Sequence, residues 1–594
     1  MLVLGALSTT VAYLLAPLTL ITYVAQLAQL DDTPVYMRVP SQGYRHAYSV
    51  EGHNGAVACE VDMCSASGAY IMERGGSAVD GAIAAALCVG VVDAFHSGIG
   101  GGGLALVKQD GRTPVVFDYR ETAPAAAHTH MFDGMPAFAS RWGGLAAAVP
   151  GEVRGYEELH KEHGKVPWEL LFEPAIQIAR RGFRLPKQVY YAMYYVGPVL
   201  CKVPKLGGMY CDGMRLKQPG AFMIMPELAD TLEKIAKDGP DAFYSGEIAQ
   251  GIVDTLARDG GIMTLEDLAG YRVERREPLS LKLDGHRVWS VPAPGSGAVV
   301  LAVLHTMSHY APEPYNRSDG LANHRLIEAT KFAYGVRTTF GDPAFIKNVS
   351  VMEQHAISAR EARRCYESIR DGHVQPVSAY NPRNISILND RGTSHLSAVD
   401  KHGLSVSMTT TINLFFGNLM ITPQGVLLNN EMDDFSRPDV SNAFDYEPQV
   451  ANYIKPGKRP MSSMSPVIVE DATSGEVRLV VGASGGSRII SANVINTYSF
   501  LNRNDSRAMI DIIAEARWHD QLLPQVTYLE QRDPRVPGFK GFSKDAAADL
   551  KRRGHNITWI EPGWSNAQAI ERTPDGRFFA ATEARQVDSR GAAI

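Results

Sequence analysis

The chain is poor in several things that would have pointed elsewhere. It has six cysteines in 594 residues, with no CxxC pair and no HExxH helix. Spacing therefore suggests no metal centre. His160 and His163 fall on a charged, helix-like stretch, the pattern of a solvated face. No basic stripe interrupts a net charge of −6, which argues against a surface built to neutralise nucleic-acid phosphates. No internal repeat or long low-complexity linker occurs, so solenoids and arrays are excluded. The most local absence is at the N-terminus, where Met1 to Leu30 contains no Asp, Glu, Lys, Arg or His.

That uncharged stretch has a physical meaning. A membrane-spanning helix needs about 20 apolar residues, and Leu2 to Ala25 supplies them despite Pro17. Residues 1–30 are therefore expected to form a signal-anchor transmembrane helix, with 31–44 as a stalk. The competing reading is a cleaved signal peptide, whose cationic start and small-residue cleavage site are both weak here. No Lys or Arg flanks the segment closely on its N-terminal side, so charge asymmetry does not orient it. Asn-x-Ser/Thr triplets at Asn316, Asn348, Asn384, Asn504 and Asn556 orient it instead. They favour a lumenal or extracellular body, hence a single-pass type II plasma-membrane protein. The cysteines fit that compartment. Cys201 and Cys211 bracket a short loop and are expected to pair. Cys64 and Cys88, at either end of a predicted helix, are expected to pair too. Cys59 and Cys365 are left as a pair or as free thiols.

The chain exceeds one ordinary core, so two to four domains or one large layered unit is expected. Apolar (45%) and charged (21%) fractions are those of a globular protein. "GGSAVDGAIAAALCVGVVDAF" reads as a capped, buried helix, with Ser77 and Asp80 as its start. "SGIGGGGLALVKQDGRTPVVFDYRETAP" reads as a tight Gly-rich turn, a strand, an Asp110-Gly111 turn and a second strand ending at Arg120 and Glu121. It lacks the Lys-Ser/Thr of a phosphate loop. Residues 150–380 look mostly helical, with loops at "KVPKLGG" and "VPAPGSGAV". Strands return at "SHLSAVD", "LSVSMTT", "SPVIVED" and "EVRLVVG", followed by a helix, "SRIISANVINTYSF". Strands, helices, then strands again suit a layered sheet sandwich with helices outside.

Two of these strands, Thr393 to Asp400 and Leu404 to Thr411, are joined by Lys401-His402-Gly403. A three-residue hairpin with Gly in the left-handed position is a common form. Antiparallel pairing then sets Thr393 opposite Thr411, with Asn413 further along the same face. A hydroxyl is a weak nucleophile without a base. No Ser/His/Asp set is evident near Thr393, but an N-terminal threonine can use its own α-amine. Cutting Gly392–Thr393 would free that amine.

"TSHLSAVDKHG…MTTTINLFFG", "LLNNEMDDFS", "KRPMSSMSP" and "VVGASGGSRI", with "GGSAVDGAIAAALCVG", "GIGGGG" and "YRETAP" before them, resemble the γ-glutamyltransferase family in family order along nearly the whole chain. The resemblance implies the α+β, αββα sandwich of N-terminal-nucleophile hydrolases. It also implies a precursor that cuts itself into a large chain (45–392) and a small catalytic chain (393–594), which remain together as a heterodimer. The implied activity transfers the γ-glutamyl group of glutathione, its conjugates and related donors to water or to amino-acid and dipeptide acceptors, without a cofactor or metal. Thr393 matches the nucleophile and Thr411 its partner hydroxyl. Asn413, Glu431 and Asp434 match the holders of the donor's α-ammonium. Arg120, supported by Ser462 and Ser463, matches the α-carboxylate clamp, and Gly485 and Gly486 match the oxyanion hole. An Arg fork suits a carboxylate as Lys does not. Leu404, in the hairpin turn where the family more often has a small polar residue, is the one visible departure.

Plainer readings exist for each motif. "NNEMDDFS" on its own is a solvated acidic turn, Arg120 a surface ion pair, Ser462 and Ser463 loop polar residues. "RLVVGASGGSRII" also fits strand, G-x-S-x-G, helix, with Ser484 as the nucleophile of a serine hydrolase and His519 or His555 as its base. A catalytically silent surface interaction protein is the third alternative.

Overall fold

The computed structural model describes residues 49–594 except 312, 384, 386–391, 439–446, 504–506, 537 and 587. The expected transmembrane helix and stalk lie outside the described residues. Among the described residues no helix is long and apolar enough to cross a membrane. The sequons at Asn384 and Asn504 also lie outside them, whereas Asn316, Asn348 and Asn556 are exposed.

Two seven-stranded sheets form the centre. The first runs Ala592–Ala593, Gly55–Ala58, Ser394–Asp400, Leu404–Thr411, Gly102–Gln109, Val115–Tyr119, Glu274–Arg276. The second runs Ser49–Gly52, Phe578–Ala581, Asn566–Arg572, Val477–Ser484, Val467–Asp471, His286–Ser290, Leu279–Leu283. Every neighbouring pair in both is antiparallel. The sheets pack face to face, and helix Ala78–Val92 covers the outer face of the first. Helices Gly297–Met307 and Arg488–Leu501 cover the outer face of the second. Ser77 and Asp80 close the expected capping box at the head of helix Ala78–Val92. Both expected disulfides form, Cys64–Cys88 and Cys201–Cys211, while Cys59 and Cys365 are buried free thiols.

The hairpin Ser394–Thr411 has the expected register, with Ser394 opposite Thr410 and Val399 opposite Ser405, and Gly403 takes a left-handed φ of 77°. Its polar face does not meet solvent. Ser397 Oγ donates to the Gln568 carbonyl (3.3 Å) and Ser407 Oγ to the Val481 carbonyl (3.1 Å), both on the second sheet. The hydroxyls are buried between the sheets because backbone carbonyls accept from them.

Four local readings need correction. The first strand starts at Ser394, since Thr393 has φ 89° and so leaves the β region. "KVPKLGG" is largely helical rather than loop, in Pro198–Lys202 and Pro204–Tyr210, each with Pro at the first turn, where its missing N–H costs nothing. In "VPAPGSGAV" the loop ends at Ser296, where helix Gly297–Met307 starts. The mostly helical middle also supplies the strands Leu279–Leu283 and His286–Ser290, an edge hairpin turned at Asp284-Gly285.

Candidate active site

The site is assembled where the ends of the two sheets meet. Gly392 has φ 115°, and a Cβ there would stand 1.6 Å from the Asn413 carbonyl oxygen, so no other residue fits. The Gly392 carbonyl accepts from the N–H groups of Gly485 (3.0 Å) and Gly486 (3.3 Å). Those glycines follow strand Val477–Ser484, with φ 113° and 59°, so successive N–H groups form an anion-binding nest. A Cβ on Gly485 would strike the Trp564 carbonyl at 2.2 Å. Thr393 Oγ1 lies 3.2 Å from Thr411 Oγ1. The Asn413 N–H donates to Thr411 Oγ1 (2.8 Å), leaving the Thr411 hydrogen free for Thr393. A β-branched residue at positive φ is strained, by about 1–3 kcal/mol. A strained residue, its hydroxyl and two backbone N–H donors thus meet at one peptide bond.

The predicted glutamyl anchors are also brought together. Asn413 Nδ2 donates to the Asn430 carbonyl (3.0 Å), the residue before the short 3-10 turn Glu431–Asp434. Arg120, at the end of strand Val115–Tyr119, forms ion pairs with Glu431 and Asp434. It also donates to the carbonyls of Pro460 and Met461, next to Ser462 and Ser463. Ser462 N–H donates to the Pro294 carbonyl (2.8 Å), and its Oγ accepts from Met464 N–H (3.2 Å). Arg120 and Glu431 are buried, so they are no solvated surface pair. Glu121, 3.7 Å from the guanidinium, is a third carboxylate that the motifs did not single out. Burial pushes Glu121 and Glu431 each up to about 8, although Arg120 opposes it. One guanidinium faces three buried carboxylates, so the cluster favours a proton or a second cation.

A second cluster, which no motif marked, lies beneath the Ser484-Gly485-Gly486 turn. Ser484 Oγ donates to Glu60 Oε1 (2.6 Å), and His96 Nε2 lies 3.1 Å from Glu60 Oε2 and 3.8 Å from Asp93 Oδ2. Burial works against protonating His96, but Glu60 and Asp93 outweigh it and push it up to about 9. The cluster ties the Ser484-Gly485 turn to the Asn413 segment, because the His96 carbonyl accepts from Ile412 N–H (3.1 Å).

The serine-hydrolase alternative fails on this geometry. Ser484 touches a carboxylate, not an imidazole. His519 is bonded to Ser491 (2.9 Å) and Gln521 (3.2 Å), and His555 to His324 (2.8 Å) and Thr527 (3.2 Å). The G-x-S-x-G strand belongs to an antiparallel sheet, not the parallel sheet of that fold.

The fold first defines a class, an α+β sandwich of two antiparallel sheets with helices outside. The cephalosporin acylase from Bacillus halodurans superposes on it with a TM-score of 0.78 at 24% identity, covering 95% of this chain and 99% of that one. The chain belongs to the gamma-glutamyltranspeptidase family, whose sequence model matches residues 64–593. The glutathione hydrolase of Aspergillus flavus is 39% identical over 544 residues, 90% of this chain and 89% of its own length. The glutathione hydrolase proenzyme of Arthroderma benhamiae is 38% identical over 598 residues, 97% of this chain and 98% of its own.

Proposed function

We propose that this protein is a self-cleaving γ-glutamyltransferase and glutathione hydrolase with Thr393 as its nucleophile. The observation that carries this is the Gly392 carbonyl held by the Gly485 and Gly486 N–H groups, next to the Thr393 hydroxyl. In the precursor, Thr393 Oγ1 attacks the Gly392 carbonyl carbon. The C–N bond breaks as the hydroxyl proton passes to the nitrogen, leaving an ester and a free α-amine. Water cleaves the ester, giving the Gly392 carboxylate and restoring the Thr393 hydroxyl.

The mature site repeats the chemistry on a bound γ-amide. Thr393 Oγ1 attacks the γ-carbonyl, its proton goes to the α-amine and on to the departing amine, and Gly485 and Gly486 receive the oxyanion. Water or an acceptor amine then takes the glutamyl group. Thr411 orients the hydroxyl. The donor's α-carboxylate takes Arg120 with Ser462 and Ser463. Its α-ammonium takes Asn413, Glu431 and Asp434, supplying the second cation that three carboxylates favour.

The cut leaves a large chain ending at Gly392, whose body is 45–392 behind the anchor and stalk, and a small chain, 393–594. Each sheet contains strands from both, so the cut chains stay interlocked as a heterodimer. The body is placed outside the cell behind a 1–30 anchor and 31–44 stalk, a reading supported by the exposed Asn316, Asn348 and Asn556. Expression should yield two bands, the smaller reading Thr-Ser-His-Leu-Ser, and release of aniline from a γ-glutamyl anilide. An uncut chain with full activity would refute the mechanism. Glycosidase treatment should lower the apparent mass; no shift, with protease access only after permeabilisation, would refute the topology.

A further inference from the structure

Helix Gly320–Arg337 packs against helix Lys544–Arg552, and the two bring a pair of buried histidines together. His324 Nδ1 lies 2.8 Å from His555 Nε2. The two are 231 residues apart in the chain, so no motif spacing marks them.

The surrounding hydrogen bonds fix where the protons of this pair sit. His324 Nε2 is 2.9 Å from the Arg370 carbonyl oxygen, which only accepts. Nε2 therefore carries the hydrogen and Nδ1 a lone pair. Thr527 Oγ1 donates its one hydrogen to Asp520 Oδ2 (2.6 Å), so it accepts from His555 Nδ1 (3.2 Å). His555 Nε2 is then a lone pair as well. Two neutral rings so placed aim lone pairs at each other, and neither donates. The contact is repulsive until a cation occupies it. Burial works against a proton in that place, pushing His324 down to about 4 and His555 down to about 2.

Glu328 supplies a third donor. It stands one turn after His324 on the same helix face, and one of its oxygens and the two ring nitrogens all lie within 4.8 Å of one another. Two imidazoles and a carboxylate are a donor set for Zn²⁺. The outer ring nitrogens already have the partners that ligating histidines use, a backbone carbonyl for His324 and a hydroxyl relayed to a carboxylate for His555. The charges agree. Glu328 and Asp520 share one ammonium, Lys331 (3.2 and 3.7 Å), and Arg553 is paired with Asp549 (2.9 Å). Lys331 keeps Asp520 when Glu328 turns to an ion. Zn–N bonds of about 2.0–2.1 Å set the nitrogens roughly 3.3 Å apart, so the rings have to spread by only about half an ångström.

We infer that His324, Glu328 and His555 form a structural Zn²⁺ site that staples the large chain to the small one. The staple rests on the cleavage proposed above, since His324 and Glu328 precede Gly392 and His555 follows it. The site itself needs no cut.

The test loads chelator-treated protein with Zn²⁺ and with Co²⁺. One ion should bind tightly per chain pair, and at a 100-fold excess over Kd it should raise the melting temperature by about 2 °C. Co²⁺ should show the strong visible absorption of a four-coordinate site, which hydrated six-coordinate Co²⁺ on exposed histidines lacks. His324→Gln/His555→Gln should lose the ion, the spectrum and the shift. In the cut protein Zn²⁺ should also raise the urea concentration at which the two chains separate. Ion binding undiminished in the double variant, or a wild-type Co²⁺ spectrum of the six-coordinate kind alone, would overturn the site; the second readout stands even where the variant fails to fold. Thr393→Ala, left uncut, should bind the ion as well as the wild type. A wild type that binds the ion but stays a single chain would refute the cleavage and the staple, and leave the site standing.

Discussion

The two sides of Thr393 are built on opposite principles. On one side, Arg120, Glu121, Glu431 and Asp434 form a buried, ion-paired cluster, the side proposed to hold the glutamyl group. On the other, Tyr191, Tyr194 and Tyr195 stand open around a cleft of about 650 Å³ that Gly392 and Thr393 also line. A buried charge must be paired, so the first side holds a fixed set of partners that a zwitterion of matching charge can exchange. An aromatic wall needs no fixed partner and accepts varied shapes.

The comparison breaks most completely at its centre. Thr393→Ala should abolish both self-cleavage and turnover, a loss on the order of 10⁶ in kcat. Thr393→Ser should retain part of each, read by gel and by anilide release. On the charged side, Arg120→Lys keeps the cation but loses the fork. It should raise KM for a γ-glutamyl donor by roughly 100-fold with a smaller change in kcat. An unchanged KM would remove Arg120 from donor binding. Ser484→Ala separates the two hydrolase readings. Loss of one hydrogen bond to Glu60 should cost about tenfold or less in turnover, where loss of a nucleophile would leave nothing measurable.

The smallest effect is on stability. His96 is raised from its ordinary value near 6.5 to about 9 by Glu60 and Asp93. A raised pKa contributes stability that is full below the unfolded value and is lost as pH rises through the folded one. The melting temperature should therefore fall by a few degrees between about pH 6.5 and 9, and His96→Gln should flatten that slope. An identical slope in the variant would show that other groups set it.

The charged side was legible because its residues sit in short, dense motifs. "YRETAP", "NNEMDDFS" and "RPMSS" each hold functional groups within a few residues of one another, so their chemistry travels with the string. The hairpin register was legible for the same reason, since loop length and period-two geometry fix it locally. Glu121 was in plain view beside Arg120, yet nothing local marks it as a third buried carboxylate. The edge hairpin at Leu279–Ser290 had a signal, the Asp284-Gly285 turn between two alternating runs, which the helical neighbourhood masked.

The sequence by itself singled out Thr393, its partner hydroxyl Thr411, Gly392 before it, and Arg120, Glu431 and Asp434 as one charged cluster. Each is set by backbone geometry or side-chain chemistry over a few residues. Only the tertiary structure decided that Gly392 offers its carbonyl to Gly485 and Gly486. It alone joined Glu60, His96 and Ser484 beneath that turn, and Tyr195, Phe415 and Trp564 into one wall. Those groups are separated by tens to hundreds of residues, and what brings them within bonding distance is the packing of two antiparallel sheets, which no local pattern encodes.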